Sequence, residues 1–349
     1  MHSLSHLLAL LKSGEDFSPD QFESGFADIL SGAASPAQIG ALLMGLSMRG
    51  ESEREITIAA RLIAEYAAPI AAPAGSLDCC GTGGDHAGSL NISTAVAFVV
   101  AGCGVPVAKH GNRAASSKSG AADLLEYLGV NLSLTPAQCE AALREVGFCF
   151  LMAPHHHQIL KPLANIRREL GFRTIFNLLG PLLNPAQIEF QLVGVSAREF
   201  VLPMAHSLKN LGRRAAWVVY GRGGEDAQSP GLDEVSLAGP TYGAKLENGQ
   251  ITDFELRAED FALPNYEIND IRGGDAAYNA AAFMELLEHP ETAQPAYRDF
   301  VLANAACCLV LSGHSPDLKT AVAQASQSLT SGAAHRIFIH YKNFTNQTQ

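Results

Sequence analysis

The run from Asp78 to Asp123, DCCGTGGDHAGSLNISTAVAFVVAGCGVPVAKHGNRAASSKSGAAD, carries four polar corners within 46 residues. Gly81-Thr82-Gly83-Gly84-Asp85 follows a short apolar run, so its bare amides can approach an anion with no Cβ in the way. Asp85 can accept from a sugar hydroxyl or hold a metal-bound water. Asn91-Ile92-Ser93-Thr94 opens a helix, where unpaired N–H groups, the positive dipole end and two hydroxyls favour phosphate. Plain N-capping explains that tetrapeptide equally well in isolation. Lys109-His110-Gly111-Asn112-Arg113 offers an ammonium, an imidazole, an amide and a guanidinium, and Ser116-Ser117-Lys118-Ser119-Gly120 adds donors ahead of another helix. A single glycine turn is weak evidence, but repeated corners of this kind point to a phosphorylated ligand.

The elements around these corners alternate. Strands are expected over 76–80, 105–109, 148–152 and 215–220, with helices over 93–102 and 120–128 and another capped by Thr135-Pro136-Ala137-Gln138. That alternation predicts an α/β domain with a mostly parallel sheet, and successive strand ends form its ligand-binding edge. Asn248-Gly249 predicts a two-residue hairpin and so an antiparallel addition. The tail predicts helices over 275–288, 295–312 and 317–331.

The first seventy or so residues read differently. Leu4, Leu7, Leu8 and Leu11 share a helical face that Gly14 ends. Ser18 with Gln21, Ser35 with Gln38 and Ser52 with Glu55 are spaced as capping boxes, and Phe17 with Phe22 as a hydrophobic staple. The predicted division is an all-helical domain over 1–72, joined by about 160–190, and an α/β domain over 73–349, with 71–75 as the hinge. A helical domain this small buries little by itself, so it is expected to support a homodimer.

Composition narrows the classes. The chain has 349 residues, of which 47% are hydrophobic and 17% charged, with a formal net charge of −11. The length favours two domains, and the acidic balance argues against nucleic acid. The apolar runs fall short of the roughly 18 residues a membrane span needs, and the N-terminus lacks a signal-peptide pattern, so a cytoplasmic enzyme is expected. The seven cysteines show no CxxC spacing and read as reduced structural thiols. His155-His156-His157 are consecutive and without nearby partners, which argues against a transition-metal site.

GTGGD, NIST, KHGNR and SSKSG, followed by RRELGFRTIFNLLGPLLNP over 167–185 and GLDE over 231–234, resemble in order and spacing the motifs of the anthranilate phosphoribosyltransferase family. The resemblance runs from the N-terminal helices to the final SGAA. It implies a helical domain beside a larger α/β domain, with phosphoribosyl diphosphate and two Mg2+ ions between them, serving tryptophan biosynthesis. By the same resemblance, Gly81, Gly84, Asp85, Ser89, Asn91, Ile92, Ser93, Thr94, Lys109, His110, Gly111, Asn112, Arg113, Ser116 and Ser117 hold phosphoribosyl diphosphate. Ser93, Asp233 and Glu234 bind magnesium, and Gly81, Asn112, His157 and Arg167 meet anthranilate.

Those roles suit the chemistry. Adjacent carboxylates with a hydroxyl are hard donors for Mg2+, although an Asp-Glu pair on spacing alone is more often a solvated surface feature. Arg167 can grip a carboxylate in bidentate fashion. An aromatic amine is already unprotonated at neutral pH, so catalysis should rest on positioning and leaving-group stabilisation, with His110 a candidate base of second rank.

The chain departs from the family at Ala121, Gln158 and Asn165, at Tyr220, and in an apparent insertion over 222–230. Two other readings remain open: a pyrimidine nucleoside phosphorylase of similar fold, and a non-catalytic relative that binds nucleic acid.

Overall fold

A computed structural model describes residues 3–114, 118–226 and 228–347. The chain begins with α1 (Ser3–Ser13), α2 (Pro19–Leu30), α3 (Pro36–Arg49) and α4 (Glu53–Ala64). Ser18, Ser35 and Ser52 each accept from the N–H three residues on, at 3.3 Å, and the Gln or Glu there returns the bond to the cap N–H. Phe17 stacks on Phe22 with ring centres 5.8 Å apart, as the staple spacing predicts. Each such cap contributes about 1 kcal/mol.

The rest follows as β1 (Leu77–Gly81), α5 (Ile92–Gly102), β2 (Val107–Gly111), α6 (Ala121–Tyr127), α7 (Pro136–Glu145) and β3 (Phe148–Met152). Then come α8 (Ala153–His156), α9 (Leu163–Leu170), α10 (Ile175–Leu179), β4 (Phe190–Gly194), α11 (Val201–Asn210) and β5 (Ala215–Arg222). The chain continues through β6 (Gly231–Leu232), β7 (Thr241–Glu247), β8 (Gln250–Leu256), α12 (Ala276–Glu288), α13 (Pro295–Leu311), α14 (Leu318–Thr330) and α15 (Ala333–Gln347).

The sheet runs β3-β2-β1-β4-β5-β7-β8, with β6 on the end of β5. Pairing is parallel from β3 to β5 and antiparallel beyond, so the mostly parallel sheet with an added hairpin is as expected. Asn248 and Gly249, at φ 51° and 73°, make the β7–β8 turn in the left-handed region that a tight hairpin of this twist requires.

Helix α5 is apolar all round and buried between sheet and helices α13 and α15. On the other face, Leu42, Leu46, Ile56 and Ile63 form one core with Leu163, Ile175 and Phe176 of α9 and α10, and with Val193 and Val218 of the sheet. The helices over 163–179 therefore pack with α1–α4 although they lie between β3 and β4 in sequence.

Five elements were not anticipated from sequence: α8, β4, α11, β6 and α15. In β4 the short apolar run is broken by Gln191, a polar side chain that is costly to bury in a central strand. The fold resolves the conflict by giving its Nε2 a partner, the Pro181 carbonyl at 2.6 Å, inside a strand with no exposed residue.

Candidate active site at the carboxyl ends of the parallel strands

The chain runs β1, β2, β3 to one side and then returns to place β4 on the other side of β1, so the crevice at the end of β1 is the switch point of the sheet. A cavity of about 1120 Å³ opens there.

Its floor is shaped by two glycines. Gly81 and Gly194 are directly paired at the ends of β1 and β4. A Cβ on Gly81 would overlap the Asp233 carboxylate, and one on Gly194 would overlap the Asp233 backbone carbonyl. The missing side chains admit the Asp233-Glu234 pair from a segment far away in sequence. Its approach is set where Gly223 N–H bonds the Pro230 carbonyl at 2.8 Å and β6 pairs back onto β5. Asn304 of α13 then clamps the next residue, accepting from Val235 N–H at 2.8 Å and donating to its carbonyl at 3.0 Å.

Asp233 Oδ2 accepts from Gly83 N–H at 2.7 Å, and Glu234 Oε1 from Ser93 N–H at 3.0 Å. The acid pair thus meets both predicted phosphate corners. Burial pushes the Asp233 carboxyl well above the ordinary range, and the neighbouring Asp85 and Glu234 charges push it further. Glu234 is raised to about 8 by burial, with Lys109 opposing the rise. Carboxyls raised this far ionise at neutral pH only beside a counter-charge, which a bound cation would supply.

The donors present, carboxylates and the Ser93 hydroxyl, are the hard oxygens that suit Mg2+. Among the described residues no three His, Cys, Asp or Glu side chains make a ready-made cage. That fits an ion which keeps waters and leans on substrate phosphates.

Of the first two corners, Gly81, Gly84, Asp85, Ser89, Asn91, Ile92 and Ser93 line the cavity. Thr94 does not: one residue further along the helix, it turns into the interior and is 1% exposed. From the third corner, Lys109, His110, Gly111, Asn112 and Arg113 line it. Two of these are already engaged. Lys109 is buried and donates to the Cys79 carbonyl at 2.6 Å and to Ser93 Oγ at 3.2 Å. Arg113 turns its guanidinium to Glu126 at 2.7 Å and Asp123 at 3.6 Å. Ser116 and Ser117 lie outside the described residues.

Arg167 on α9 and His157 face the same cavity from the helical side and from the end of β3. Arg167 lies over the Phe176 ring, 5.3 Å from its centre, and burial alone lowers its pKa, with no carboxylate contributing. His110 Nδ1 lies 3.1 Å from the Gly180 carbonyl and His157 Nε2 lies 2.7 Å from the Leu183 carbonyl. A carbonyl only accepts, so these nitrogens carry the protons. The opposite nitrogens, His110 Nε2 and His157 Nδ1, are buried lone-pair sites with no protein partner among the described residues. Burial lowers the two rings to about 3 and about 4, so both are neutral at pH 7. His155 stands exposed at the cavity rim and His157 is buried within it, while His156 turns to the Cys139 thiol, so the three consecutive histidines do not converge.

Among the departures, Ala121 and Gln158 line the cavity, whereas Asn165 bonds Arg168 at 2.9 Å and Tyr220 packs over Gly231.

The sequence reading missed Gly194, Asn304 and a further corner, Arg272-Gly273-Gly274, which forms another wall. Gly273 N–H bonds the Gly88 carbonyl at 2.8 Å, and Asn279 Nδ2 bonds Asn91 Oδ1 at 2.8 Å. The signal was present: two glycines just before the Asp275 helix cap repeat the pattern of the first corner.

Family models match the chain twice: the glycosyl transferase family helical bundle domain over 5–67 and the family's a/b domain over 74–335. An anthranilate phosphoribosyltransferase of Rhodopseudomonas palustris is 48% identical over 335 residues, 96% of each chain. That of Rhodospirillum rubrum is 49% identical over 333 residues, 95% of this chain and 93% of that one. Among solved structures, the Thermus thermophilus enzyme of that name superposes with a TM-score of 0.88 at 37% identity, covering 99% of this chain and 100% of that one. The Saccharomyces cerevisiae enzyme in complex with PRPP and Mg gives a TM-score of 0.88 at 26% identity, covering 99% and 98%. With 4-fluoroanthranilate bound, the same yeast enzyme gives 0.86 at 25% identity, covering 99% and 100%. Paired glycines that admit an acid pair to the switch-point crevice, in a chain matched to these enzymes from end to end, make the assignment: the chain belongs to the anthranilate phosphoribosyltransferase family of pentosyl-transferring enzymes.

Proposed function

We propose that this chain transfers the 5-phosphoribosyl group of phosphoribosyl diphosphate to the amine of anthranilate, releasing diphosphate, as a step of tryptophan biosynthesis. The observation that carries the reading is the meeting of Asp233 with Gly83 and of Glu234 with Ser93 at the switch point. The amides of Gly81, Gly84, Gly111 and the α5 N-terminus, with Asp85, Ser89, Asn91, Ile92 and Asn112, hold phosphoribosyl diphosphate, while Arg113, paired with Glu126 and Asp123, braces that corner. Ser116 and Ser117 complete the set carried over from the family, and Thr94, turned into the interior, supports the head of α5.

Ser93, Asp233 and Glu234 would hold Mg2+, two ions per chain, which neutralise the departing diphosphate. Lys109 supplies the counter-charge beneath Ser93 and Glu234, and with its ammonium already committed it orients those ligands rather than reaching far into the cavity.

Anthranilate enters from the side of His157, with Arg167 pairing its carboxylate and Gly81 and Asn112 bounding its ring. The buried acceptor nitrogens of His110 and His157 suit the hydrogens of a neutral amine. A ring lowered to about 3 is a poor base, so His110 binds and orients the amine instead of deprotonating it before attack. The helical part, 1–72 with about 160–190, carries Arg167, while 73–349 carries the phosphate corners. Closure of the two parts brings acceptor and ribose together.

The enzyme acts as a homodimer in the cytoplasm. Met44 and Met48 of α3, 46% and 81% exposed, with the half-buried Leu8 and Leu11 of α1, give the helical part an apolar surface for a second copy. Met48→Glu should shift the mass measured by light scattering from dimer to monomer. Loss of anthranilate fluorescence on adding phosphoribosyl diphosphate and Mg2+ tests the activity. Folded chain that leaves the fluorescence unchanged would overturn it.

A further inference from the structure

Strands β1 and β2 part company inside the sheet. β1 pairs with β4 along its whole length, Leu77 to Gly81, and β2 pairs with β3 along its whole length, Val107 to Gly111. Between β1 and β2 only Leu77 and Val107 are in register. In a regular parallel ladder the next step would join Cys79 N–H to the Ala108 carbonyl and His110 N–H to the Cys79 carbonyl.

Side chains take over three of those four groups. The Ala108 carbonyl accepts from Asn184 Nδ2 at 2.8 Å, His110 N–H donates to Asp78 Oδ1 at 3.2 Å, and the Cys79 carbonyl accepts from Lys109 Nζ at 2.6 Å. Asp78 is fully buried, and its second oxygen accepts from Asn184 Nδ2 at 2.9 Å. A buried backbone group left unpaired is costly, so side-chain partners at three of these groups mark the gap as a maintained feature of the sheet.

The two halves of the split sheet carry different parts of the site. On the β1–β4 half stand the glycine corner and the acid pair. On the β2–β3 half stand Lys109, His110, the Gly111-Asn112 corner and the turn to His157. Asp78 ties the halves together. It holds His110 directly, and through Asn184 it holds the 180–184 segment, whose Gly180 and Leu183 carbonyls fix the two histidine rings. Neither Asp78 nor Asn184 lines the cavity.

We infer that Asp78 is a positioning residue for the aromatic acceptor: by bridging the β1–β2 split it sets where the paired histidines stand relative to the phosphoribosyl corner. The inference rests on the proposed function. It separates Asp78 from the glycine corner and the acid pair, which stay anchored through the intact β1–β4 ladder.

Asp78→Asn turns an acceptor into a donor facing the Asn184 amide, at unchanged size. In the full-length chain with Mg2+, the KM for anthranilate should rise about tenfold, the equivalent of one charge-assisted hydrogen bond. The Kd for phosphoribosyl diphosphate, read by calorimetry, should change clearly less than the anthranilate KM, as the glycine corner and the acid pair stay on the untouched β1–β4 ladder. Asn184→Ala removes the same bridge from the other side and decides the matter if the first variant does not fold. A purely structural role would lower the active fraction and leave the anthranilate KM unchanged. That result, or parallel weakening of both substrates in either soluble variant, would overturn the inference. Turnover by the unaltered chain is the separate test of the activity itself.

Discussion

Gly81 and Gly194, cross-strand partners at the ends of β1 and β4, together leave the space that Asp233 occupies. A methyl group at either position would collide with the segment that delivers the acid pair. Gly194→Ala is expected to lower kcat/KM by about ten- to a hundredfold, the effect of roughly 1–3 kcal/mol of overpacking placed directly under Asp233. Steady-state kinetics beside a melting curve would check it; wild-type activity in the variant would show that the segment has room to shift.

The buried acids make stability depend on pH in a direction opposite to that of ordinary paired carboxylates. Glu234 holds its proton up to about 8 in the folded chain without a cation, against 4.5 as its ordinary value, and Asp233 is raised as well. The folded state then binds more protons than the unfolded one across that interval, so this contribution is present at the acid end and is lost as pH rises. Melting temperature in a chelator should therefore fall from pH 5 toward pH 8 relative to the same chain with Mg2+. A gain from Mg2+ that does not grow with pH over this range would contradict the charge assignment.

Arg167→Lys should raise the KM for anthranilate about tenfold or more, since an ammonium cannot reproduce the bidentate pair. Binding of phosphoribosyl diphosphate should stay unchanged by calorimetry. Equal weakening of both substrates would place Arg167 on the phosphate side.

Asn304 reaches the acid pair through the Val235 backbone without entering the cavity. Asn304→Ala leaves two buried backbone groups without that partner, at a cost of about 1–3 kcal/mol in stability. Its Mg2+ dependence should shift to higher concentration, which an activity titration against the metal would reveal. Unchanged Mg2+ dependence in a destabilised chain would limit Asn304 to the core.

Much of the fold was legible because its signals are local. Capping boxes at Ser18, Ser35, Ser52 and Thr135 and the Asn248-Gly249 turn are satisfied by neighbours within a few residues, so the chain reads the same alone or folded. Strand β4 was illegible because what makes Gln191 tolerable there, the Pro181 carbonyl, is supplied by another segment. Helix α11 follows β4 and was lost with it.

From the order of residues came the glycine corners, the hydroxyls at the head of α5, the acid pair and Arg167, since each motif states its own chemistry. Tertiary structure alone decided that Asp233 sits on Gly81 and Gly194, and that Lys109 and Arg113 spend their charge on protein partners. It also decided that Thr94 turns inward and that β1 and β2 separate around Asp78. The reason is physical: a motif reports which groups a segment can offer. Which of those groups remain available to a ligand depends on the donors, acceptors and space that distant segments contribute on packing.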